Sequence, residues 1–434
     1  FRVCPDPTVT TFPARNPARP ALAFGLNNSF AEDMAMKAFE GVRVLDFTHV
    51  FAGPFATYQL AVMGADVIKI EDPSEIDMMR PESVSPALAA EGRGTRYVCQ
   101  SGNKRAVTID LKSEAGRDLI RRMAETSDVV VSNFRNGVMD RLGIGADALQ
   151  AVNPQLIYCT VSGFGATGPK AKDPAYDNVI QAYSGLMAST GTPTSGPVKI
   201  GPAVLDYGTG AQAAFAIAAA LFQRTRTGTG QRIDVAMLDA ALMLMPSSVA
   251  DTHALDAPPK RIGNTNPVKA AYGVFDTSDG SLMVGAFTIR QTERLWRAVG
   301  RDDKADALDG VSMTEMDATA EDDRALLQEI FLTKSADDWE TILNDGGVPG
   351  ARVRDIHEAI GSAQVASRQV LQEGVVMPET DRPIATPMAA FSYAHNGPEL
   401  TRHSARHGEH TIEVLGEFGI DASEIALLQK SGVI

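Results

Sequence analysis

The stretch GVRVLDFTHVFAGPFATYQLAVMGADVIKIE (41–71) decides the fold class. Its two ends, GVRVLDF (41–47) and ADVIKIE (65–71), are short apolar runs typical of buried strands, and AGPFATYQLAVMG (52–64) between them is typical of a helix. Two strands joined by a helix form a βαβ unit, in which the strands are parallel because the helix crosses over one face of the sheet.

The same alternation continues through residue 164. KRAVTIDL (104–111) is a predicted strand, residues 113–125 are a helix with Ser113 as its N-cap, and DVVVSNF (128–134) is the next strand. A helix around residues 147–152 and the strand PQLIYCTVSGF (154–164) follow. The sequence therefore predicts an α/β fold with a doubly wound, parallel sheet of the Rossmann type.

After Gly230 the alternation gives way to an apolar run, QRIDVAMLDAALMLM (231–245), and then to a polar stretch punctuated by prolines, which we interpret as a linker over residues 246–265. Residues 266–394 are expected to form a second, smaller α+β domain and a return linker, with a hairpin at Asp279-Gly280. We expect residues 395–434, which hold two amphipathic helices separated by Gly419, to pack on the large domain of residues 36–245. Residues 1–35 carry five prolines and are interpreted as an N-terminal arm.

Composition excludes several classes of partner. The chain has 434 residues, with 40 basic and 54 acidic side chains and a net charge of −14, which suits neither nucleic acid nor an anionic membrane surface. The longest apolar run, AAFAIAAALF (213–222), is too short to span a bilayer. Cys4, Cys99 and Cys159 show no C-x-x-C spacing, so we expect no disulfide framework, no metal site and a cytoplasmic location.

One motif imitates a dinucleotide-binding fingerprint. GFGATG (163–168) follows a predicted strand and matches G-x-G-x-x-G. The fingerprint requires a helix immediately afterwards, and PKAKDPAYD (169–177) contains Pro169 and Pro174 and no apolar periodicity. It also follows a late strand rather than the first strand, so we do not expect a nicotinamide or flavin dinucleotide here.

Cationic side chains cluster in the predicted α/β domain. For any one of them a solvated surface is the simpler interpretation, but Asn133, Phe134 and Arg135 lie where a strand ends, the edge at which such sheets bind ligands. Together the cations and the aromatic ring also suit a phosphorylated ligand with an adenine ring. The cations are Lys104, Arg105, Lys112, Arg135 and Arg141.

Asp206 precedes a long apolar helix predicted to begin near Gly210. Its carboxylate could cap that helix, or it could be a reactive group that the same placement keeps ionised. The glycines around it, Gly201, Gly208 and Gly210, would let a ligand approach the backbone. Asp177, at the start of another predicted helix, has the same two interpretations.

Several motifs, in order, resemble those of the class III coenzyme A transferases. The resemblance runs from about Gly41 to the end of the chain, and the family includes formyl-CoA, carnitine-CoA and dicarboxylate-CoA transferases and, on the same fold, 2-methylacyl-CoA racemases. The motifs are the opening stretch 41–71, GNKRAVTIDLK (102–112), SNFRNGVMDRLGIG (132–145), NPQLIYCTVSGFGATGP (153–169), YDNVIQAYSGLM (176–187), the run from VLDYGTG to TGTGQRIDVAMLDA (204–240) and GVPGARV (347–353).

The resemblance implies a function and a set of site residues. The family's nucleophilic aspartate falls on Asp206, which would form an aspartyl-CoA intermediate while CoA moves from an acyl-CoA donor to a carboxylic acid acceptor, expected to be a small organic acid or dicarboxylate. The coenzyme A thioester is then a cosubstrate, with no permanent cofactor. Backbone N–H groups at the start of the helix after Asp206 are expected to hold the oxyanions. Coenzyme A contacts fall on Phe51, Ala52, Ile109, Lys112, Asn133, Phe134, Arg135 and Arg141, and supporting roles on Tyr176, Asp177, Gly263 and Asn264.

The sequence departs from the family at three positions. Asp72 stands where the formyl-CoA enzymes carry an arginine beside the adenine, and RIGNTNP (261–267) replaces their tetraglycine loop. Tyr176 aligns with the histidine base of the racemases, and a neutral phenol is a poor proton acceptor at pH 7. A racemase and a non-catalytic CoA-binding module remain the alternatives. The resemblance also implies an interlocked homodimer.

Overall fold

A six-stranded parallel sheet forms the centre of the protein, whose computed structural model describes residues 36–434. The predicted arm, 1–35, and Cys4 lie outside the described residues. The strands are β1 (Arg43–Phe47), β2 (Asp66–Glu71), β3 (Lys104–Thr108), β4 (Val129–Ser132), β5 (Ile157–Ser162) and β6 (Arg232–Ala236). Their spatial order, β3-β2-β1-β4-β5-β6, is that of a doubly wound Rossmann-type sheet, as predicted.

Helices connect these strands and continue through the rest of the chain. In the described residues they are α1 (Ala52–Val62), α2 (Pro86–Ala90), α3 (Thr95–Val98), α4 (Glu114–Glu125), α5 (Val138–Arg141), α6 (Ala146–Val152), α7 (Asp177–Tyr183), α8 (Leu186–Ser189), α9 (Val204–Thr227), α10 (Met237–Met243), α11 (Pro246–Leu255), α12 (Ile289–Ala298), α13 (Asp302–Asp306), α14 (Met313–Asp317), α15 (Ala320–Phe331), α16 (Ala336–Asp345), α17 (Ile356–Ile360), α18 (Ala363–Arg368), α19 (Thr411–Glu417) and α20 (Ala422–Lys430).

Helices cover both faces of the sheet, and neighbouring residues of a strand point to opposite faces, so they enter different cores. Leu45 of β1 packs with α4, α6 and the C-terminal helices α19 and α20, whereas Val44 packs with α1, α9 and α10. Both side chains are fully buried, and such burial contributes about 1.5–3 kcal/mol for each. The C-terminal helices therefore return to the large sheet, as the sequence predicted.

A separate core lies in the segment after α11. Strands β7 (Tyr272–Asp276), β8 (Ser281–Gly285) and β9 (Gly350–Arg352) form an antiparallel sheet, and the predicted hairpin at Asp279-Gly280 is confirmed. Helices α12, α15 and α16 pack on it through Trp296, Phe331 and Trp339. Strands β10 (Leu371–Met377) and β11 (Arg382–Pro387) form a two-stranded antiparallel sheet.

Several elements differ from the sequence prediction. Residues 231–245 were interpreted only as apolar, but they contain the edge strand β6 and helix α10. Helix α11 lies within the predicted linker, 246–265. Helix α9 begins at Val204, not near Gly210, and its 24 residues, with a mean hydropathy of 1.2 over its most apolar window, are long and apolar enough to cross a membrane. A helix in a protein core meets the same criteria, and α9 packs on α1 and β5.

Candidate functional site

The candidate site lies where the strand order reverses. Strands β1 and β4 are neighbours, but the chain leaves them toward opposite sides of the sheet, which opens a crevice beyond their carboxyl ends. A cavity of about 260 Å³ occupies this position. It is lined by the loops after β1 (49–52) and β4 (133–136), by residues 161–164 and 171–176, and by Asp206 and Met237.

Asp206 is the carboxyl group at the centre of this arrangement. It lies in the first turn of α9, and burial, reinforced by the negative charge of Asp177, raises its pKa to about 7. The backbone N–H of Ala52 lies near the carboxylate and opposes this shift. Burial therefore favours the protonated form of Asp206, whereas the sequence prediction expected its placement to keep the carboxylate ionised.

Asp177, and not Asp206, caps helix α9. Its Oδ2 accepts the N–H groups of Leu205 at 2.7 Å and Asp206 at 3.1 Å, and its Oδ1 accepts from Gln181 Nε2 at 2.6 Å. Gln181 Oε1 in turn accepts the N–H of Ile200 at 2.9 Å. Asp177 takes these two N–H groups. Because α9 begins at Val204, the N–H groups after Asp206 bond within the helix and are not available to the oxyanions, contrary to the sequence prediction.

The N-terminus of helix α1 faces Asp206 instead. Phe51, the N-cap, forms no side-chain cap, and the N–H of the next residue, Ala52, lies near the Asp206 carboxylate. Helices α1 and α9 come this close at Gly210, where an added Cβ would lie 2.5 Å from the carbonyl oxygen of Ala52. Gly210 thus serves helix packing, whereas the sequence prediction assigned it to ligand approach.

Six predicted site residues line the cavity together with Asp206, namely Phe51, Ala52, Asn133, Phe134, Arg135 and Tyr176. Asn133 organises the loop after β1, since its Oδ1 accepts the N–H of His49 at 2.8 Å and its Nδ2 donates to the carbonyl oxygen of His49 at 2.7 Å. The ring of Phe134 packs on the imidazole of His49 at a centroid distance of 5.2 Å. Tyr176 is 63% exposed.

The other predicted residues lie outside this cavity. The side chain of Ile109 is fully buried in the core, and Lys112 Nζ lies 3.5 Å from Asp72 and 3.2 Å from Glu75. Arg141, Gly263 and Asn264 do not line the cavity. Asp177 does not line it either, but it holds the start of α9 by accepting the N–H of Leu205.

Two members of the predicted cation cluster are structural. Lys104 is buried with Asp46, and Arg105 pairs with Asp66 and Glu417. They are therefore not available to a phosphate.

His49 and Lys172 are cavity residues that the sequence prediction missed. His49 could have been found from its position two residues after a strand of the sheet, whereas Lys172 is brought in by the loop after β5. That loop contains the GFGATG motif, and the next helix, α7, begins only at Asp177, so the motif is not followed directly by the helix that a dinucleotide fingerprint requires. Burial lowers the pKa of His49, and the nearby ammonium of Lys69 lowers it further.

The described residues contain no cluster of three or more histidine, cysteine, aspartate or glutamate side chains that could hold a metal. Cys99 and Cys159 are free thiols.

The geometry and the sequence relatives agree on one class of protein. The sequence profile of CoA-transferase family III matches residues 39–411. The chain is 34% identical to a succinate–glutarate CoA-transferase of Agrobacterium fabrum, over 87% of this chain and 94% of that enzyme. It is 36% identical to an acetyl-CoA:oxalate CoA-transferase of Acetobacter aceti, over 78% of this chain and 87% of that enzyme.

A solved structure has the same fold. A CaiB/BaiF family protein of Brucella suis superposes with a TM-score of 0.77 at 30% identity and covers 88% of this chain and 100% of its own. The protein belongs to CoA-transferase family III.

Proposed function

We propose that the protein transfers coenzyme A from an acyl-CoA thioester to a carboxylic acid and that Asp206 is the nucleophile. The observation that carries this proposal is the position of Asp206, a carboxyl group in a cavity at the switch point of the sheet, with a helix N-terminus directed at it. The family relationship supports the reaction class.

The proposed chemistry proceeds through carboxylate and thiolate exchange. The ionised Asp206 attacks the thioester carbonyl carbon, the C–S bond breaks, and a mixed anhydride and CoA thiolate form. The thiolate attacks the Asp206 side-chain carbonyl, which releases the donor acid and leaves an aspartyl-CoA thioester. The acceptor carboxylate then repeats both steps in reverse and regenerates Asp206. No net proton is transferred, and coenzyme A is a cosubstrate.

Each step passes through a tetrahedral oxyanion that needs hydrogen-bond donors. The first N–H groups of α1 have no partner within the helix, and that of Ala52 is already directed at the Asp206 carboxylate. We assign the oxyanion site to this helix end, in place of the capped start of α9. One preorganised donor of this kind is worth about 10²–10³ in kcat.

The cavity also suits an acceptor with a second carboxylate. Arg135 and Lys172 line it, both are exposed, and neither side chain forms a hydrogen bond or ion pair with another described residue. In a chain with a net charge of −14, two unpaired cations at one cavity favour an anionic ligand. Arg135 suits a coenzyme A phosphate, as the resemblance implies, and Lys172 suits the distal carboxylate of a dicarboxylic acid.

A homodimer with interlocked chains is part of the proposal. Helices α9, α10 and α11 expose large apolar side chains that a partner would cover. Those more than half exposed are Phe215, Phe222, Met243, Leu244 and Leu255.

Transfer assays with Asp206→Asn test the function. The amide keeps the shape of the side chain but cannot form an anhydride, so CoA exchange should fall to a trace while acyl-CoA still binds. Asp239→Asn is the matched control, because Asp239 is also in the first turn of a helix but lies outside the cavity. A panel of donor thioesters with mono- and dicarboxylic acceptors, analysed by mass spectrometry, identifies the substrates. Near wild-type transfer by Asp206→Asn would refute the assignment.

A further inference from the structure

The loop between β1 and α1 contains a backbone conformation that its sequence disfavours. Val50 has φ of 69°, in the left-handed region, where a β-branched residue is rare because its side chain crowds the backbone. Residues 49–52 line the cavity, so this outlier lies within the candidate site. Such a conformation persists only where neighbouring groups hold it.

Side chains from three other segments hold this loop through its backbone. Lys69 Nζ donates to the carbonyl oxygen of Thr48 at 2.6 Å, and Asn133 exchanges two hydrogen bonds with the backbone of His49. Gln100 Nε2 donates to the carbonyl oxygen of Val50.

Asp77 receives the N–H of the strained residue itself. Its Oδ1 accepts from Val50 at 3.4 Å and from Met79 at 3.0 Å, and its Oδ2 accepts from Lys69 Nζ at 3.1 Å. The same Oδ2 lies 3.9 Å from Nδ1 of His49. Asp77 is 2% exposed and lies outside the cavity, so it reaches the substrate only through the residues it holds.

We propose that Asp77 is a positioning residue for the transfer reaction: it fixes Val50 in its left-handed conformation and thereby directs the N–H of Ala52 at Asp206. Asp77 also links this loop to Lys69, which is buried among carboxylates and therefore stays charged. This inference rests on the proposed function, because it requires that the N–H of Ala52 binds the oxyanion of the transfer reaction.

The proposal predicts an effect on kcat rather than on binding. The oxyanion forms only during reaction, so a displaced Ala52 N–H weakens the transition state more than the ground state. Displacements of about 1 Å cost about 10²-fold in rate. We expect Asp77→Ala to lower kcat about 100-fold and to change KM for acyl-CoA by less than about three-fold. Asp77→Asn, whose uncharged Oδ1 is a weaker acceptor for the N–H of Val50, should lose about ten-fold.

Glu71→Gln is the matched control for loss of a buried charge. Glu71 is also 2% exposed and close to Lys69, but its carboxylate pairs with Arg80 and accepts no hydrogen bond from residues 48–50. We expect it to lower the melting temperature by an amount similar to Asp77→Asn while kcat stays within about two-fold of wild type. An equal loss of kcat in both variants would overturn the proposal, since it would reduce Asp77 to a contributor to stability.

Val50→Gly in the Asp77→Asn background provides a rescue that stability alone cannot mimic. Glycine adopts positive φ without steric cost, so the loop no longer depends on the carboxylate. The double variant should therefore recover most of the kcat lost by Asp77→Asn, and a double variant no faster than Asp77→Asn would overturn the proposal. Activity of Asp206→Asn reports separately on the proposed function, because that variant leaves the loop and Asp77 intact.

Discussion

Asp177→Asn should shift the pH dependence of the reaction toward acid. Asp177 raises the pKa of Asp206 through its negative charge, and the amide removes that charge while an oxygen remains to accept the N–H groups of Leu205 and Asp206. In the variant, the side-chain amide of Gln181 lies beside the new amide at position 177. If the Gln181 amide rotates so that its oxygen accepts from this new amide, the N–H of Ile200 loses its acceptor. One such lost hydrogen bond costs about 1–3 kcal/mol of stability, a loss that does not depend on pH.

The expected magnitude follows from the pKa of about 7 for Asp206. The Asp177 charge contributes only part of the raised pKa, and burial contributes more. Each unit by which the pKa falls corresponds to about 1.4 kcal/mol, and a fall of that size raises the ionised fraction at pH 6 from about one-tenth to about one-half. At pH 8 Asp206 is almost fully ionised in both proteins. The ratio of kcat/KM for variant and wild type should therefore be about five-fold higher at pH 6 than at pH 8.

Steady-state assays from pH 5.5 to 8.5 measure this ratio. Ionisation of the substrates affects both enzymes equally and therefore cancels in the ratio. A loss of activity in the variant that does not depend on pH lowers the ratio by the same factor at every pH. A ratio that stays constant or falls toward acid pH would refute the assigned coupling between the two carboxyl groups.

Three further predictions follow from the same site. Asp206→Asn should be more stable than wild type at pH 8 by about 1–2 kcal/mol. The raised pKa of Asp206 stabilises the wild-type fold at low pH, and this contribution is lost as pH rises through about 7. Urea unfolding should therefore show a much smaller difference between the two proteins at pH 4. The enzyme should not exchange the α-proton of a 2-methylacyl-CoA with deuterated water, because Tyr176 replaces the racemase histidine, and rapid deuteration in NMR spectra would move the function to racemase. Light scattering should give about 92 kDa, twice the chain mass of 46.2 kDa, and a monomer at micromolar concentration would exclude the interlocked dimer.

The sequence predicted the part of the fold that local patterns determine. The stretch from Gly41 to Glu71 contains two short apolar runs separated by a segment of helical length, and β1, α1 and β2 lie where that pattern places them. The edge strand β6 was missed because two of its five residues, Arg232 and Asp234, are charged and exposed and because it continues directly into α10.

Contacts distant in sequence limited the prediction of the site. Asp206 was identified from the family resemblance, whereas the residue pattern left open whether its carboxylate caps the helix or reacts. The carboxylate that caps this helix comes from Asp177, 29 residues earlier, a contact that no local pattern predicts. The same separation hid the raised pKa of Asp206, which depends on burial and on that neighbour. Val50 illustrates the third limit, because its left-handed backbone is imposed by Asp77 and Gln100 against its local preference.

Trapping the covalent intermediate tests the central claim most directly. Incubation with a donor acyl-CoA and no acceptor should load Asp206 as a thioester, which hydroxylamine converts to a hydroxamate and borohydride reduces to an alcohol, whereas a resting carboxylate reacts with neither. Peptide mapping should place a donor-dependent label on VLDYGTG (204–210) at Asp206. Label on Asp177 would transfer the nucleophile there, and an absence of donor-dependent label with transfer activity intact would contradict the covalent mechanism.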